Sequence, residues 1–377
     1  MSRFDVVICG GGIAGLECML RLRRIAGERV NITLLSPNTE FDYRPLAVLE
    51  SFGETTTRQY PMNRIVADNE VTWIPETLAW VDRAKRVVHS SAGDATHYDA
   101  LLLALGGRPR PANPFMDAFT SSRGPAMYRQ LLEDVDRGQL TSLAFVIPEG
   151  PSWPLPLYEL ALMTAHHART RGIELELSLL TPGPRPLDMF GGNASEKVAE
   201  LLSKAGVDVH CSAVADMTTE GRIVLHRAGV EIRAQRTVTL HRINGPDIHG
   251  IPGDAIRRFV PIDTRCRVRG TDGHIFAAGD ATDCLIKHGG VSAQQADTAA
   301  DGIAHLAECA PASKPLYPVL RGKLLTGEEP LYLSAQVIAG QGWNAAISQQ
   351  PAWAPDDLVV AAELGSYLAS LSQFRPR

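Results

Sequence analysis

A glycine-rich loop near the start of the chain has the residue types and spacing that bind nucleotide phosphates. Gly10, Gly12 and Gly15 fit the pattern G-x-G-x-x-G. The first glycine of such a loop allows a tight turn, the second lets backbone approach a pyrophosphate, and the third lets a helix pack closely on a strand. The N–H groups of Ile13 and Ala14, at the start of that helix, add the positive end of its dipole. We therefore expect these five residues to hold a nucleotide cofactor.

This loop needs a strand before it and a helix after it, and the sequence predicts both. A second unit of the same kind follows later in the chain. The predicted strand, helix and strand are Phe4–Cys9, Ala14–Ile25 and Asn31–Leu35 in the first unit, and Leu143–Ile147, Leu157–Thr170 and Ile173–Leu180 in the second. Two βαβ units predict parallel sheets. The expected fold class is α/β, with two Rossmann-like lobes.

Two stretches rich in proline and glycine divide the chain. The stretch 108–114 is typical of a linker into the second lobe, and 240–252 is typical of the return. We predict a first domain made of residues 1–112 and 245–318, with residues 113–244 inserted as the second domain. Residues 319–377 form a small C-terminal interface segment.

The residue that would bind the nucleotide ribose is atypical. An acidic side chain usually ends the second strand, about 20 residues beyond the loop. Here Ser36 and Pro37 occupy that position. A serine hydroxyl can make one neutral hydrogen bond, and Glu40 in the following loop is the alternative, so the ribose ligand stays open between them.

Two later stretches make the nucleotide pattern more specific. An apolar run from Tyr98 to Leu105 ends at Gly106, and a second one ends at Gly279-Asp280. With the first glycine loop, their order and spacing resemble the pyridine nucleotide-disulfide oxidoreductase superfamily. Within that superfamily, the chain more closely resembles the branch that contains sulfide:quinone reductases, flavocytochrome sulfide dehydrogenases and type II NADH dehydrogenases.

The resemblance implies a glutathione reductase-type fold with bound FAD. Gly106 would let the chain pass near the pyrophosphate, and Asp280, after Gly279, would hydrogen-bond the ribityl chain. A helix beginning near Gly290 would point its N-terminus at the pyrimidine edge of the flavin. Negative charge on reduced flavin would be stabilised there by Lys287.

Three polar residues have a second interpretation each. Lys287 can be a solvated surface lysine. His288 can be a proton relay or a polar turn residue. Arg44 lies in a segment that resembles the family's loop beside the isoalloxazine, where it would neutralise a flavin phosphate or an anionic substrate; a surface ion pair is the alternative.

The inserted lobe lacks the features of a second dinucleotide site. Relatives that oxidise NADH carry another G-x-G-x-x-G here, but this chain has Pro148, Glu149 and Trp153 around the single Gly150. Proline has no N–H to donate, and an indole fills space that backbone needs. The next strand ends at Thr181, where no acid is available for a ribose. We expect no working NAD(P) site.

The cysteines and the charge exclude further classes of function. Six cysteines are scattered without a C-x-x-C, and the loop 148–159 lacks the cysteine that sulfide-oxidising relatives use. This favours reduced thiols, a cytoplasmic location and no metal centre. A net charge of −5 gives no basic surface for nucleic acid. The apolar C-terminal stretch 356–371 carries acidic charges, so packing on its own flavin domain or in a homodimer is favoured over membrane association.

The sequence therefore predicts an FAD-dependent oxidoreductase. Electrons would pass from a small-molecule donor through the flavin to a quinone, oxygen or a carrier protein. One alternative is an NAD(P)H-dependent enzyme of the type II NADH dehydrogenase kind. The other is a flavin-binding regulatory or interaction protein.

Overall fold

The computed structural model describes residues 3–44, 47–54, 57–120, 122–219, 222–225, 231–338, 341–350, 353 and 359–373. The α-helices are α1 (Ile13–Ala26), α2 (Ala47–Ser51), α3 (Met62–Asp68), α4 (Gly124–Asp136), α5 (Leu155–Arg171), α6 (Gly192–Lys204), α7 (Gly289–Leu306) and α8 (Leu364–Gln373). Short 3-10 helices lie at Gly27–Arg29, Asp188–Phe190 and Gly279–Ala281.

The strands in chain order are β1 (Phe4–Cys9), β2 (Val30–Leu35), β3 (Glu40–Tyr43), β4 (Arg58–Pro61), β5 (Thr72–Ile74), β6 (Leu78–Asp82), β7 (Val87–Ser90), β8 (Ala95–His97), β9 (Ala100–Leu103), β10 (Arg108–Arg110), β11 (Asp117–Ala118), β12 (Ser142–Val146), β13 (Glu176–Leu180), β14 (Val207–His210), β15 (Ala215–Thr219), β16 (Arg222–Leu225), β17 (Glu231–Arg233), β18 (Arg236–Thr239), β19 (Arg242–Asn244), β20 (Ile275–Ala277), β21 (Val319–Leu324), β22 (Leu331–Ile338) and β23 (Gln341–Ser348).

The first lobe is built on a parallel sheet of strand order β20-β9-β1-β2-β5. Strand β1 has the predicted bounds, and α1 is one residue longer than predicted at each end. Leu16, Met19 and Leu22 of α1 are buried, as their spacing predicts. The strand order changes direction at β1, which opens a crevice beyond the carboxyl ends of the strands.

The second lobe repeats this plan with the strand order β11-β18-β12-β13-β14, again all parallel. Helix α5 begins two residues before the predicted start because Pro156 fits the first turn, where its missing N–H costs nothing. Gly172 ends α5 in the left-handed conformation with φ 67°, so β13 begins at Glu176 rather than at Ile173. The predicted α/β class with two Rossmann-like lobes is confirmed.

An antiparallel pair joins the lobes where the two linkers were predicted. Arg108–Arg110 pairs with Arg242–Asn244, so the outgoing and returning chain segments lie side by side. This pair lies where the chain passes from one lobe to the other and back. The exact domain bounds at residues 112, 245 and 318 stay predictions.

The C-terminal segment closes on both lobes. Strands β21, β22 and β23 form an antiparallel sheet whose Leu320 and Leu324 lie in the core of the second lobe. Helix α8 places Leu364 and Leu368 in the core of the first lobe. The packing on its own flavin-type lobe expected for the stretch 356–371 is thus seen for α8, while residues 354–358 lie outside the described part.

Buried Glu17 fixes the start of α8. The side chain of Glu17 in α1 is fully buried, and its two carboxylate oxygens accept the backbone N–H groups of Glu363 and Leu364, at 2.9 and 2.7 Å. These groups would otherwise lack partners at the helix N-terminus.

Among the described residues, no helix is long and apolar enough to span a membrane.

Candidate active site

A cavity of about 540 Å³ lies at the carboxyl ends of the first parallel sheet. The loops that follow β1, β2, β9 and β20 line it, together with the start of α7. The lining includes residues 10–14, 35–38, 104–106, 278–280, Gly289 and Ser292. The elements that the two sequence motifs require therefore meet at one crevice.

Two glycines of the first loop are required by packing, and the third faces open space. Gly10 has φ 114°, and a Cβ there would overlap the carbonyl of Ala104. A Cβ on Gly15 would overlap the carbonyl of Gly10. A Cβ on Gly12 would meet no protein atom within 4 Å, and Gly12 lines the cavity. No protein atom thus requires glycine at position 12, and a larger side chain there would project into the cavity.

The N-terminus of α1 is open toward the cavity. Gly12 is its N-cap and supplies no side-chain hydrogen bond, and the Leu16 N–H makes the first bond back to Gly12. Ile13 and Ala14 line the cavity. Free N–H groups and the positive helix end form an anion site at this place.

Ser36 and Pro37 line the same cavity, as does the neighbouring Asn38. The Ser36 side chain is buried, and the Trp73 indole donates to its backbone oxygen at 2.9 Å. Glu40, the alternative ribose ligand, is exposed at the start of β3 and is not among the lining residues. The geometry brings Ser36, and not Glu40, to the cavity.

Asp280 and two glycines form the opposite wall. Gly106 and Gly279 have φ values of 69° and 81°, and a Cβ at Gly106 would meet nothing within 4 Å. Burial raises the pKa of the Asp280 carboxyl, and Lys287 opposes that rise. The Asp280 side chain accepts no hydrogen bond from the described residues, so its oxygens are available to a ligand.

Lys287 braces the Asp280 loop from behind. Its side chain is 6% exposed, and its ammonium donates to the backbone oxygens of Asp280 at 3.1 Å and Thr282 at 2.7 Å. The ammonium also lies 3.8 Å from the ring centroid of Phe259. Burial lowers the pKa of Lys287 to about 8, against the charge of Asp280. The alternative of a solvated surface lysine is therefore wrong.

A second cavity of about 530 Å³ adjoins the first. Residues from both lobes and from β21 line it. The two cavities share Ile13 and Gly289 in their walls. The N-terminus of α7 begins at Gly289, and its N-cap His288 supplies no side-chain hydrogen bond. The helix expected near Gly290 thus begins one residue earlier and opens at the junction of the two cavities.

A buried glutamate lines the second cavity. Glu159 is 6% exposed, and its Oε1 accepts the Leu325 N–H at 3.3 Å. Burial raises the pKa of its carboxyl to about 8, although the Leu325 N–H and the charge of Lys323 oppose the rise. The carboxyl is therefore protonated at neutral pH, and it can donate or accept a proton inside the cavity.

His288 lies on the wall of the second cavity beside Trp153. The two ring centroids are 4.3 Å apart. The buried Nδ1 of His288 has no hydrogen-bond partner among the described residues. Burial lowers the pKa of this imidazole to about 4, so the ring is neutral at physiological pH. His288 thus lies in a cavity wall and not in an exposed turn.

Arg44 faces the second cavity and not the phosphate side of the first. Its guanidinium makes an ion pair with Asp42 at 3.1 Å. Asp42 also lines the second cavity. Arg44 thus forms a local ion pair, and it also lies where a substrate could bind.

The inserted-lobe loop is closed against the first lobe. The Ser152 N–H donates to the Leu285 carbonyl, and the Lys287 N–H donates to the Ser152 carbonyl, each at 3.2 Å. A Cβ on Gly150 would overlap the guanidinium of Arg257. Helix α5 follows Pro154 and carries a proline in its first turn. Of the backbone donors that a pyrophosphate would need here, the Ser152 N–H is thus already bonded, and Pro148, Pro151 and Pro154 have no N–H to donate.

The predicted site residues divide between the two cavities. Those that line the first are Gly10, Gly12, Ile13, Ala14, Ser36, Pro37, Gly106, Gly279 and Asp280; those that line the second are Ile13, Arg44, Lys287 and His288. Gly15 and Gly290 line neither cavity and are held by packing. Cysteine does not occur among the described residues of either lining, and burial raises the pKa of the nearby Cys284 thiol.

Sequence reasoning missed Glu159, Arg321 and Lys323, which also line the second cavity. One signal was available for Glu159. It is the single charged residue in the apolar helical run 155–165, and a charge there is costly without a role. The two cations on β21 gave no signal because their proximity to Glu159 depends on the tertiary fold.

Comparison with known proteins agrees with this architecture. Residues 4–138 match a family model described as pyridine nucleotide-disulphide oxidoreductase. Putidaredoxin reductase CamA of Pseudomonas putida is 31% identical over 137 residues, which are 35% of this chain and 32% of that protein. The match therefore spans about a third of the length of this curated relative.

Two solved structures share the fold over most of the chain. The sulfide:quinone oxidoreductase of Aquifex aeolicus superposes with a TM-score of 0.82 and 18% identity, covering 92% of this chain and 86% of that one. The reductase–putidaredoxin covalent complex gives a TM-score of 0.63 and 20% identity, covering 89% and 82%. At these identities the likeness concerns the fold.

Proposed function

We propose that this chain, whose residues 4–138 match the pyridine nucleotide-disulphide oxidoreductase family model, is an FAD-dependent oxidoreductase of that superfamily. The first cavity binds FAD, and the second binds a small molecule that exchanges electrons with it. One observation carries the proposal: two cavities of similar volume meet at Ile13 and Gly289. A cofactor in the first cavity is thus next to whatever occupies the second.

The residues of the first cavity fit an FAD. Gly12 and Gly106 leave open space where a Cβ would stand. The uncapped N-terminus of α1 suits a pyrophosphate, and the free carboxylate of Asp280 suits a ribityl hydroxyl. When bound, FAD supplies hydride and single-electron transfer.

The residues of the second cavity suit reaction with a small molecule. Glu159 can give a proton to a substrate or take one from it, because its pKa of about 8 is close to neutral pH. The open N-terminus of α7 at Gly289 favours negative charge at the junction. Trp153 and His288 form a wall that excludes water.

The electron acceptor is a quinone, oxygen or a carrier protein. Among the structural neighbours are a sulfide:quinone oxidoreductase and a reductase bound to putidaredoxin. Sulfide as donor is disfavoured by the absence of cysteine from the described cavity walls. NAD(P)H as donor is disfavoured by the bonded Ser152 N–H and by Pro148, Pro151 and Pro154, which have no N–H to donate to a pyrophosphate. A cytoplasmic location, with homodimerisation, completes the proposal.

Flavin reoxidation tests this function. The bound flavin is photoreduced without oxygen and mixed with duroquinone, oxygen or a ferredoxin. We expect a rate that saturates with at least one acceptor, and a lower rate in Glu159→Gln at unchanged FAD content. Glu133→Gln, at an exposed helix position, is the matched control. Rates that never saturate and are equal in all three proteins would contradict the proposal.

A further inference from the structure

The second cavity carries an excess of positive charge at its wall. Arg321 and Lys323 are alternate residues of β21, so both line the cavity from one strand. Neither makes an ion pair with a described residue, and Lys323 only lies over the Tyr332 ring at 5.9 Å. Arg44 and Asp42, which also line the cavity, form an ion pair, so their charges cancel each other. Two cations thus lack a counter-charge among the residues that the structure describes.

The groups that face these cations add no negative charge at neutral pH. Glu159 interacts electrostatically with Lys323 and is protonated, since burial raises its pKa to about 8. His288 is neutral. Lys287 adds positive charge below a pKa of about 8. The N-terminus of α7 at Gly289 has the same sign.

Apart from Ser122, the rest of the wall is apolar. Its carbon surface is supplied by residues Val48, Phe119, Trp153, Leu155, Leu240 and Val359. A guanidinium fork matches the planar carboxylate geometry, and a protonated carboxyl can donate to a carboxylate oxygen. Apolar walls with a few placed polar groups are typical of small-molecule sites.

We propose that the second cavity binds a small organic carboxylate, with the anionic group on Arg321 and Lys323 and the carbon skeleton against Trp153. This inference rests on the proposed function, in which this cavity is the substrate site. The neutral Glu159 carboxyl lies beside the bound anion. Ionisation of Glu159 adds a like charge and expels the ligand.

Binding of simple probes tests the inference. Benzoate and hexanoate are titrated calorimetrically into the FAD-loaded protein, with benzamide and hexanamide as neutral counterparts of equal shape. We expect each acid to bind at least about tenfold more tightly than its amide, as one charge-assisted contact would give. Arg321→Gln with Lys323→Gln should remove that preference. Arg137→Gln, at the exposed arginine that directly follows α4, should keep it.

The pH dependence separates Glu159 from Lys287. The affinity of the acids should fall as the pH rises from 7 to 9, when Glu159 ionises and Lys287 loses charge. In Glu159→Gln the fall should be smaller. Equal affinity for acids and amides, or a preference untouched by the double variant, would overturn the inference. FAD content measured on the same samples distinguishes this from a failure of the proposed function.

Discussion

Replacement of Glu159 by glutamine should stabilise the fold while it lowers the rate of flavin reoxidation. A glutamine has nearly the same volume, and its amide oxygen can still accept the Leu325 N–H that now lies 3.3 Å from Oε1. It cannot ionise. The wild-type carboxyl is buried with its pKa raised from 4.5 to about 8, so folding at neutral pH requires it to take up a proton.

The magnitude follows from that shift. Between pH 4.5 and 8 the folded state holds a proton that the unfolded state has lost, so this group makes stability fall as the pH rises. Each pH unit costs about 1.36 kcal/mol, which gives about 3 kcal/mol at pH 7 and less than about 1 kcal/mol at pH 5. Glu159→Gln should recover most of this difference. A destabilising acid in the core indicates a functional role.

Urea unfolding of the FAD-loaded wild type and Glu159→Gln at pH 5 and pH 7 measures the effect. We expect near-equal free energies of unfolding at pH 5 and a gain of about 3 kcal/mol for the variant at pH 7. Glu133→Gln should show no such pH dependence. A variant that is less stable than wild type at both pH values would refute the reasoning, because Glu159 would then act as an ionised structural partner.

Three further outcomes follow from the site. Gly12→Val should lose FAD while keeping its fold, as followed by flavin absorbance and circular dichroism. The control Gly192→Val, at the start of α6 in the other lobe, should retain FAD. Equal FAD retention by the two variants would count against the assignment of the loop. Burial lowers the pKa of Lys287 from 10.5 to about 8, so the stability of the wild type should rise from pH 8 to 10, and that of Lys287→Met should not. If the melting temperatures of the two proteins change with pH in the same way, the lysine is not buried as described. NADH and NADPH should reduce the flavin far more slowly than the roughly 1–1000 per second of typical turnover, and stopped-flow rates within that range would favour the type II NADH dehydrogenase reading.

The first cavity follows closely from the sequence because its chemistry is local. The roles of Gly10, Gly12 and Gly15 depend on a strand–turn–helix unit that is contiguous in the chain, and the structure places each glycine accordingly. Ser36 follows the adjacent strand, so its approach to the cavity was also foreseeable. The fold class rested on two such contiguous units.

The second cavity could not be derived in the same way. Glu159, Arg321 and His288 are far apart in sequence and meet only through the packing of β21 on the second lobe. Lys287 was expected to face the flavin, whereas its ammonium is turned to the carbonyls of Asp280 and Thr282. In that orientation the ammonium donates to loop oxygens that have no backbone donor. Such a contact depends on the folded shape of the loop, so the spacing of residues in the sequence does not predict it.

Titration of the FAD-free protein with FAD and with FMN tests the central claim most directly. The loop around Gly12 and the open N-terminus of α1 suit the diphosphate of a dinucleotide, which FMN lacks. The account predicts one FAD per chain, bound at least about a hundredfold more tightly than FMN, a difference of about 3 kcal/mol. Failure to take up FAD, or equal affinity for the two flavins, would contradict it.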